Sequence, residues 1–110
     1  MSDNSKTILE VDIPTLLTQK PELAKDINAV IHFVITGDGG GTWTMDLTKP
    51  AGWVAAGAQG TPKMTVTVSD ADFVKIRAKQ LNPQMAAMQG KLKLKPMDMG
   101  LAMKLSKLLS

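Results

Sequence analysis

The sequence predicts a two-layer α+β domain, in which helices cover one face of a five-stranded, mostly antiparallel sheet. Segments in which apolar and polar residues alternate follow one another through links of hairpin length, as in antiparallel sheets. Segments with helical spacing and capping residues occur before, between and after them. The chain has 110 residues, which suits a single domain over 1–110. The polar residues 1–6 are expected to be flexible.

The first half of the chain predicts a helical region followed by three strands. Residues 13–27 carry apolar side chains at helical spacing, and Pro21 suits the first turn of a second helix. The segment 29–36 is almost entirely apolar and β-branched, which predicts a central strand covered on both sides. Residues 42–47 alternate as a half-buried strand, and 52–58 form a weaker strand of small residues.

The second half predicts two strands and three helices. Residues 63–68 alternate again, and Ser69 begins a helix with the spacing of a capping box. Asn82 caps a second helix, since a proline follows it at the first helical position. In 91–95 the leucines face inward and the lysines outward, and Asp98 caps a last helix with a leucine stripe.

The residue inventory argues against catalysis. The chain has no cysteine, and its one histidine, His32, lies in the most apolar strand, where a core or edge hydrogen bond is expected. Asp70 and Asp72 suit a helix start better than an acid/base pair. No nucleophile has a base beside it. We therefore expect no enzyme, no metal site and no cofactor.

Charge and targeting signals give a further set of expectations. The net charge is +3, but the aromatic residues lie on apolar or alternating segments, so nucleic acid is not an expected partner. No apolar run reaches the 18 or so residues of a membrane span, and the start lacks a secretory pattern. A cytoplasmic location is expected. The peroxisomal tripeptide at 106–108 is followed by two residues, so a peroxisomal location requires that a C-terminal signal has been removed.

Two features of the C-terminal third are unusual. From residue 91 onward five lysines oppose one acid, which predicts either a solvated surface or transient contact with anionic membranes: Lys91, Lys93, Lys95, Lys104 and Lys107. Seven methionines follow Met1, all in segments expected to face one interior: Met45, Met64, Met85, Met88, Met97, Met99 and Met103. Flexible thioethers suit either a loosely specified core or a deformable apolar cavity.

Five short motifs carry a resemblance to the sterol carrier protein 2 family. The most specific are Asn-Pro-Gln at 82–84, Gln-Gly-Lys-Leu-Lys at 89–93 and Met-Gly-Leu-Ala-Met-Lys-Leu at 99–105. Asp-Ala-Asp-Phe at 70–73 resembles the family's helix start, and Trp-Thr-Met-Asp-Leu at 43–47 resembles one of its strands in a shifted form. The resemblance covers about residues 8–109, although the link at 95–98 is about one residue longer than usual.

The resemblance implies a hydrophobic tunnel between sheet and helices, and a protein that carries fatty acids, fatty acyl-CoA, sterols or phospholipids without catalysis. It places Gln89 near the tunnel and 99–105 in the helix that closes it. An intracellular lipid carrier, expected to be a monomer, is the leading hypothesis; the alternative is an accessory lipid- or partner-binding domain of a larger enzyme or complex. The expected ligand-binding residues are Phe33, Trp43, Met45, Met64, Val66, Phe73, Ile76, Met85, Met88, Gln89, Leu92, Leu94, Met99, Met103 and Leu105.

Overall fold

A computed structural model of the chain describes residues 4–37, 40–49, 52–95 and 98–109, without the side chains of Met99 and Leu109. The expectations for Met97 and for the middle of the link, residues 96–97, lie outside the described residues. The elements in chain order are α1 (Ser5–Thr7), a π-helical segment (Ile8–Asp12), α2 (Ile13–Gln19), α3 (Pro21–Ile27), β1 (Val30–Thr36), β2 (Gly41–Asp46), β3 (Val54–Ala56), β4 (Met64–Ser69), α4 (Asp70–Arg77), α5 (Pro83–Met88), β5 (Leu92–Lys95) and α6 (Met99–Leu109).

The five strands form one mixed sheet in the order β3-β2-β1-β4-β5. The predicted α+β class and the hairpin from β1 to β2 are confirmed, and three of the four strand pairs are antiparallel. The central pair, β1 with β4, is parallel, with Phe33 beside Val66. The short links do not reveal this pairing. Strand β4 does not pair with β3, which precedes it in the chain, but with the edge of β1 that β2 leaves free.

One face of the sheet carries the core and the other faces outward. Residues directly opposite one another share a face, so a row runs from Trp43 through Phe33 and Val66 to Leu94. Three of these four side chains are buried, whereas the threonines of β4 on the other face are half-buried. The helices therefore cover one face, as the sequence predicts.

The outer face of β1 is only partly covered, which corrects the expectation of cover on both sides. Val30 and Val34 are half-buried. Between them, His32 is 9% exposed, and its Nε2 lies 2.9 Å from the carbonyl oxygen of Gln59. The loop after β3 thus shields the middle of the strand, and His32 has the structural hydrogen bond that the sequence predicts.

The capping residues begin helices where the sequence places them. The Ser69 hydroxyl accepts a hydrogen bond from the Asp72 amide at 3.2 Å, and the Asn82 side chain accepts one from the Gln84 amide at 2.8 Å. The Asp98 carboxylate accepts one from the Leu101 amide at 3.1 Å. Each bond satisfies an amide that the first helical turn leaves unpaired.

The N-terminal helical region is hydrogen-bonded to strand β2 and to helix α4. The predicted two-part helix at 13–27 is present as α2 and α3, whereas the π-helical segment and α1 were not predicted. The π-helical segment places Glu10 so that its carboxylate accepts a hydrogen bond from the Trp43 indole at 2.8 Å. Ser5 is buried, and its amide donates to the Asp70 carboxylate at 2.8 Å. Flexibility of residues 1–6 stays a prediction, since residues 1–3 lie outside the described part.

The core lies between the inner face of the sheet and the helices. The rings of Phe33 in β1 and Phe73 in α4 are both fully buried, with centroids 5.9 Å apart. Helix α6 contributes a stripe of buried leucines to the same core: Leu101, Leu105 and Leu108. The stripe predicted from helical spacing is therefore confirmed.

Candidate functional site

An apolar groove of about 410 Å³ lies between the β4–β5 edge of the sheet and helices α5 and α6. This volume is within the usual range for small-molecule pockets, roughly 300–1,000 Å³. The groove is partly enclosed and partly open to solvent, whereas the resemblance implies a tunnel. Its lining residues are Val66, Pro83, Gln84, Ala87, Met88, Leu92, Leu94, Ala102, Met103, Leu105 and Ser106.

The floor of the groove follows from the alternation in β5. Leu92 and Leu94 point to the inner face, while the lysines between and beside them are exposed. Leu94 pairs with Val66 of β4, which extends the apolar floor by one strand. Leu94 is half-buried, whereas Leu92 of the same strand is buried.

The walls of the groove are two short helix faces. In α5 the lining positions 83, 84, 87 and 88 follow helical spacing, and in α6 the positions 102, 103, 105 and 106 do the same. Gly90 ends α5 with φ of +76°, and the Lys91 amide then donates to the Ala86 carbonyl at 2.9 Å. This turn returns the chain directly into β5, so that wall and floor adjoin.

The groove has an uncharged and mostly apolar lining. No charged side chain occurs among its described lining residues, and only Gln84 and Ser106 supply polar side chains. Over the described ranges, no three His, Asp or Glu side chains are grouped so that they could hold a metal ion. Within the same ranges no helix has the length and apolarity to cross a membrane. The arrangement suits burial of an apolar molecule.

The structure divides the fifteen predicted ligand-binding residues into groups. Six line the groove: Val66, Met88, Leu92, Leu94, Met103 and Leu105. Six are buried in the core and do not line it: Phe33, Trp43, Met45, Met64, Phe73 and Ile76. Gln89 and Met85 are exposed and lie outside the lining, and the Met99 side chain is outside the described residues. Contact of any of them with a lipid stays a prediction.

The expectation that the methionines face one interior is wrong for three of them. Met45 and Met64 are fully buried, but Met85, Met88 and Met103 are 48%, 82% and 55% exposed. Helical spacing in α5 placed Met85 and Met88 on one face, yet both side chains are exposed to solvent. Periodicity groups residues by face and does not say which face meets the core.

Five lining residues were not predicted: Pro83, Gln84, Ala87, Ala102 and Ser106. They are small or polar residues and a proline, whereas the predicted residues are mostly large and apolar. A usable signal was present, because Ala102 and Ser106 are four apart on one helix face, as are Pro83 and Ala87. Small residues at that spacing leave room for a ligand between the helices.

The lysines have two different environments. Lys91, Lys93 and Lys95 are exposed, as predicted. Lys104 is half-buried, and its ammonium group donates to the Asp26 carbonyl oxygen at 3.0 Å while lying 3.9 Å from the Asp26 carboxylate. Lys104 therefore ties α6 to the end of α3.

Curated relatives match most of this chain but only part of their own length. Hydroxysteroid dehydrogenase-like protein 2 of Xenopus laevis is 42% identical over 89 residues, which is 80% of this chain and 21% of that protein. Peroxisomal multifunctional enzyme A of Dictyostelium discoideum is 43% identical over 90 residues, with 80% of this chain and 20% of that protein covered. The chain thus spans about a fifth of these relatives.

A solved structure and a family model agree with the geometry. Palmitated SCP2L2 of Aedes aegypti, determined by solution NMR, superimposes with a TM-score of 0.75 at 30% identity, covering 96% of this chain and 94% of that one. The model of the SCP-2 sterol transfer family matches residues 13–110. The chain belongs to the SCP-2 sterol transfer family and has its non-catalytic, lipid-binding fold.

Proposed function

We propose that this domain carries a lipid whose acyl chain or apolar ring system lies in the groove, and that it transfers this lipid between membranes. The observation that carries the proposal is an uncharged lining of apolar side chains around about 410 Å³. The palmitated relative supports an acyl ligand. Fatty acids, fatty acyl-CoA, sterols and phospholipids are the proposed ligands, and the domain acts without a cofactor.

The affinity comes from burial of methylene groups. Each contributes about 0.8 kcal/mol, so a chain of roughly 16 carbons has an upper bound near 12 kcal/mol before the costs of association. This free energy is non-directional and depends on buried apolar area. Selection among lipids of similar apolar volume should therefore be weak, with Gln84 and Ser106 the only polar side chains in the described lining.

The delipidated protein should bind a fluorescent fatty acid saturably at micromolar concentration or below. Unlabelled oleate and palmitoyl-CoA should displace it, since they compete for the same apolar volume. Fluorescence titration measures both, and mass spectrometry of an organic extract of the purified protein identifies the lipid acquired in the cell. Absence of saturable binding to a folded, delipidated sample would contradict the proposal.

An accessory role in a larger enzyme is the second candidate. It is favoured by the two curated relatives, which are several times longer than this chain and carry enzyme names. In that role residues 1–110 would be one domain that presents a lipid to a catalytic unit elsewhere. We propose a cytoplasmic location for the free carrier and a peroxisomal one for the accessory form, the latter supported by the Dictyostelium relative.

We further propose that the domain acts as a monomer and meets anionic membranes through Lys91, Lys93 and Lys95. Changing all three to Gln should slow lipid transfer to anionic vesicles roughly tenfold or more and weaken its dependence on salt. The reason is that each lysine near such a surface contributes about 1 kcal/mol. Stopped-flow transfer to anionic and to neutral vesicles measures the effect.

The matched control changes three exposed lysines elsewhere to Gln: Lys20 at the α2–α3 junction, Lys25 in α3 and Lys75 in α4. This variant should transfer lipid at the original rate. If both triple variants slow transfer equally, the transfer rate depends on the net charge of the domain. Lys91, Lys93 and Lys95 would then form only a solvated surface. Fatty-acid affinity should change little in either variant, because none of the six residues lines the groove.

A further inference from the structure

We propose that Met88 and Met103 are an oxidation site at which a lipid hydroperoxide held in the groove is reduced to the alcohol. The inference rests on the proposed lipid-binding function and adds a reaction to it. Met88 belongs to α5 and Met103 to α6, so the two methionines line one apolar groove from different helices.

The exposure of these side chains separates them from the core methionines. Met88 is 82% exposed and Met103 is 55% exposed, whereas Met45 and Met64 are fully buried. Methionine sulfur is oxidised readily where an oxidant can reach it, and packing in a core prevents access. Met85 supplies an internal comparison, since it is 48% exposed but lies outside the lining.

A ligand in the groove would bring its own oxidant to the sulfur. An unsaturated acyl chain that carries a hydroperoxide has an apolar body that suits the groove and a reactive group along its length. Holding that group beside a thioether converts an encounter in dilute solution into a reaction within one complex, which raises its effective concentration. A small oxidant such as hydrogen peroxide has no such preference and samples all exposed methionines.

The reaction balances between the thioether and the hydroperoxide alone. The sulfur lone pair attacks the terminal peroxide oxygen, the O–O bond breaks, and an S–O bond forms. The hydroperoxide proton moves to the departing alkoxide, which leaves as the lipid alcohol. The sulfur loses two electrons and becomes a sulfoxide, and the peroxide gains them, so no other reactant is required.

Oxidation would also change the groove. A sulfoxide is polar and chiral, and placing it against a methylene chain costs free energy where the thioether did not. We expect oxidation of both residues to weaken fatty-acid binding about tenfold. The domain would thus release unmodified lipid after it has met peroxidised lipid, until the sulfoxides are reduced.

The test treats the whole chain with linoleic acid hydroperoxide or with hydrogen peroxide, matched for total oxidation. Fragment-ion mass spectrometry then locates each sulfoxide, and Met88 must be separated from Met85 because they share a tryptic peptide. For each oxidant, the measured quantity is the ratio of sulfoxide at Met88 and Met103 to sulfoxide at Met85. This ratio should be at least fivefold higher with the lipid hydroperoxide than with hydrogen peroxide. Excess oleate should remove the preference, and Met45 should stay reduced.

Two variants test the chemistry at saturating hydroperoxide. Formation of the lipid alcohol should persist in Met85→Leu and fall strongly in the double variant M88L/M103L. Equal site preference with both oxidants, or undiminished alcohol formation in the double variant, overturns the inference. If oleate binds the untreated protein while the preference is absent, the oxidation site fails and the carrier function stands. If oleate does not bind, both fail.

Discussion

Replacing Ala102 with Trp is expected to weaken fatty-acid binding strongly while leaving the domain folded. Ala102 is half-buried on the face of α6 that lines the groove, so an indole at this position extends into the space proposed for the acyl chain. Each methylene kept out costs about 0.8 kcal/mol. Exclusion of about four therefore lowers affinity by roughly 200-fold. Titration with a fluorescent fatty acid measures the loss.

The matched control is Ala71→Trp, which places the same side chain at an exposed position of α4 outside the groove lining. It should bind fatty acid as the parent does. Circular dichroism and thermal unfolding should show both variants folded. Full affinity in a folded Ala102→Trp variant would mean that the lipid lies elsewhere, and would exclude the groove as its site.

Phe73→Ala is expected to lower the free energy of unfolding by about 3–5 kcal/mol. Phe73 is fully buried in α4 against Phe33 of β1, so the truncation leaves a cavity in the core. Small domains are stable by only about 5–15 kcal/mol, and this loss is a large share of that. Urea unfolding monitored by tryptophan fluorescence gives the value, since Trp43 and Trp53 are both buried.

Measuring fatty-acid affinity in a folded variant should show whether Phe73 acts only in the core or also in the binding site. Phe73→Leu, a milder change that keeps most of the packing, should hold fatty acid within about threefold of the parent affinity, since Phe73 does not line the groove. Phe73 is one of the ligand-binding residues expected from the sequence. A loss above tenfold in a folded Phe73→Leu variant would return it to the binding site.

The fold was predictable where local chemistry decides it. The side chains of Ser69, Asn82 and Asp98 each accept a hydrogen bond from a backbone amide in the first turn of the helix that follows. The starts of these helices therefore follow from a few adjacent residues. The parallel contact of β1 with β4 was not predictable in this way. It depends on which strand edge is free after β2 has paired, and that is a property of the assembled sheet.

The site was predictable as a region and only partly as a set of residues. Leu92 and Leu94 were assigned correctly to the inner face because strand alternation fixes orientation once one face is buried. The residue type of a large apolar side chain, such as Met45 or Phe33, does not indicate whether it fills a core or lines a groove. What creates the groove is the small size of Ala87 and Ala102, which a search for apolar bulk passes over.

The parallel pairing of β1 with β4 has a consequence for how the chain reaches this fold. Ile31 aligns with Met64, more than thirty positions later in the chain, and β2 and β3 both lie between them. The hairpin of β1 and β2 can form from neighbouring residues, but the other edge of β1 must wait for a distant segment, at the entropic cost of closing a long loop. We therefore expect that, during refolding, the most apolar strand has one unpaired edge for a time, and that intermolecular strand pairing competes with completion of the sheet.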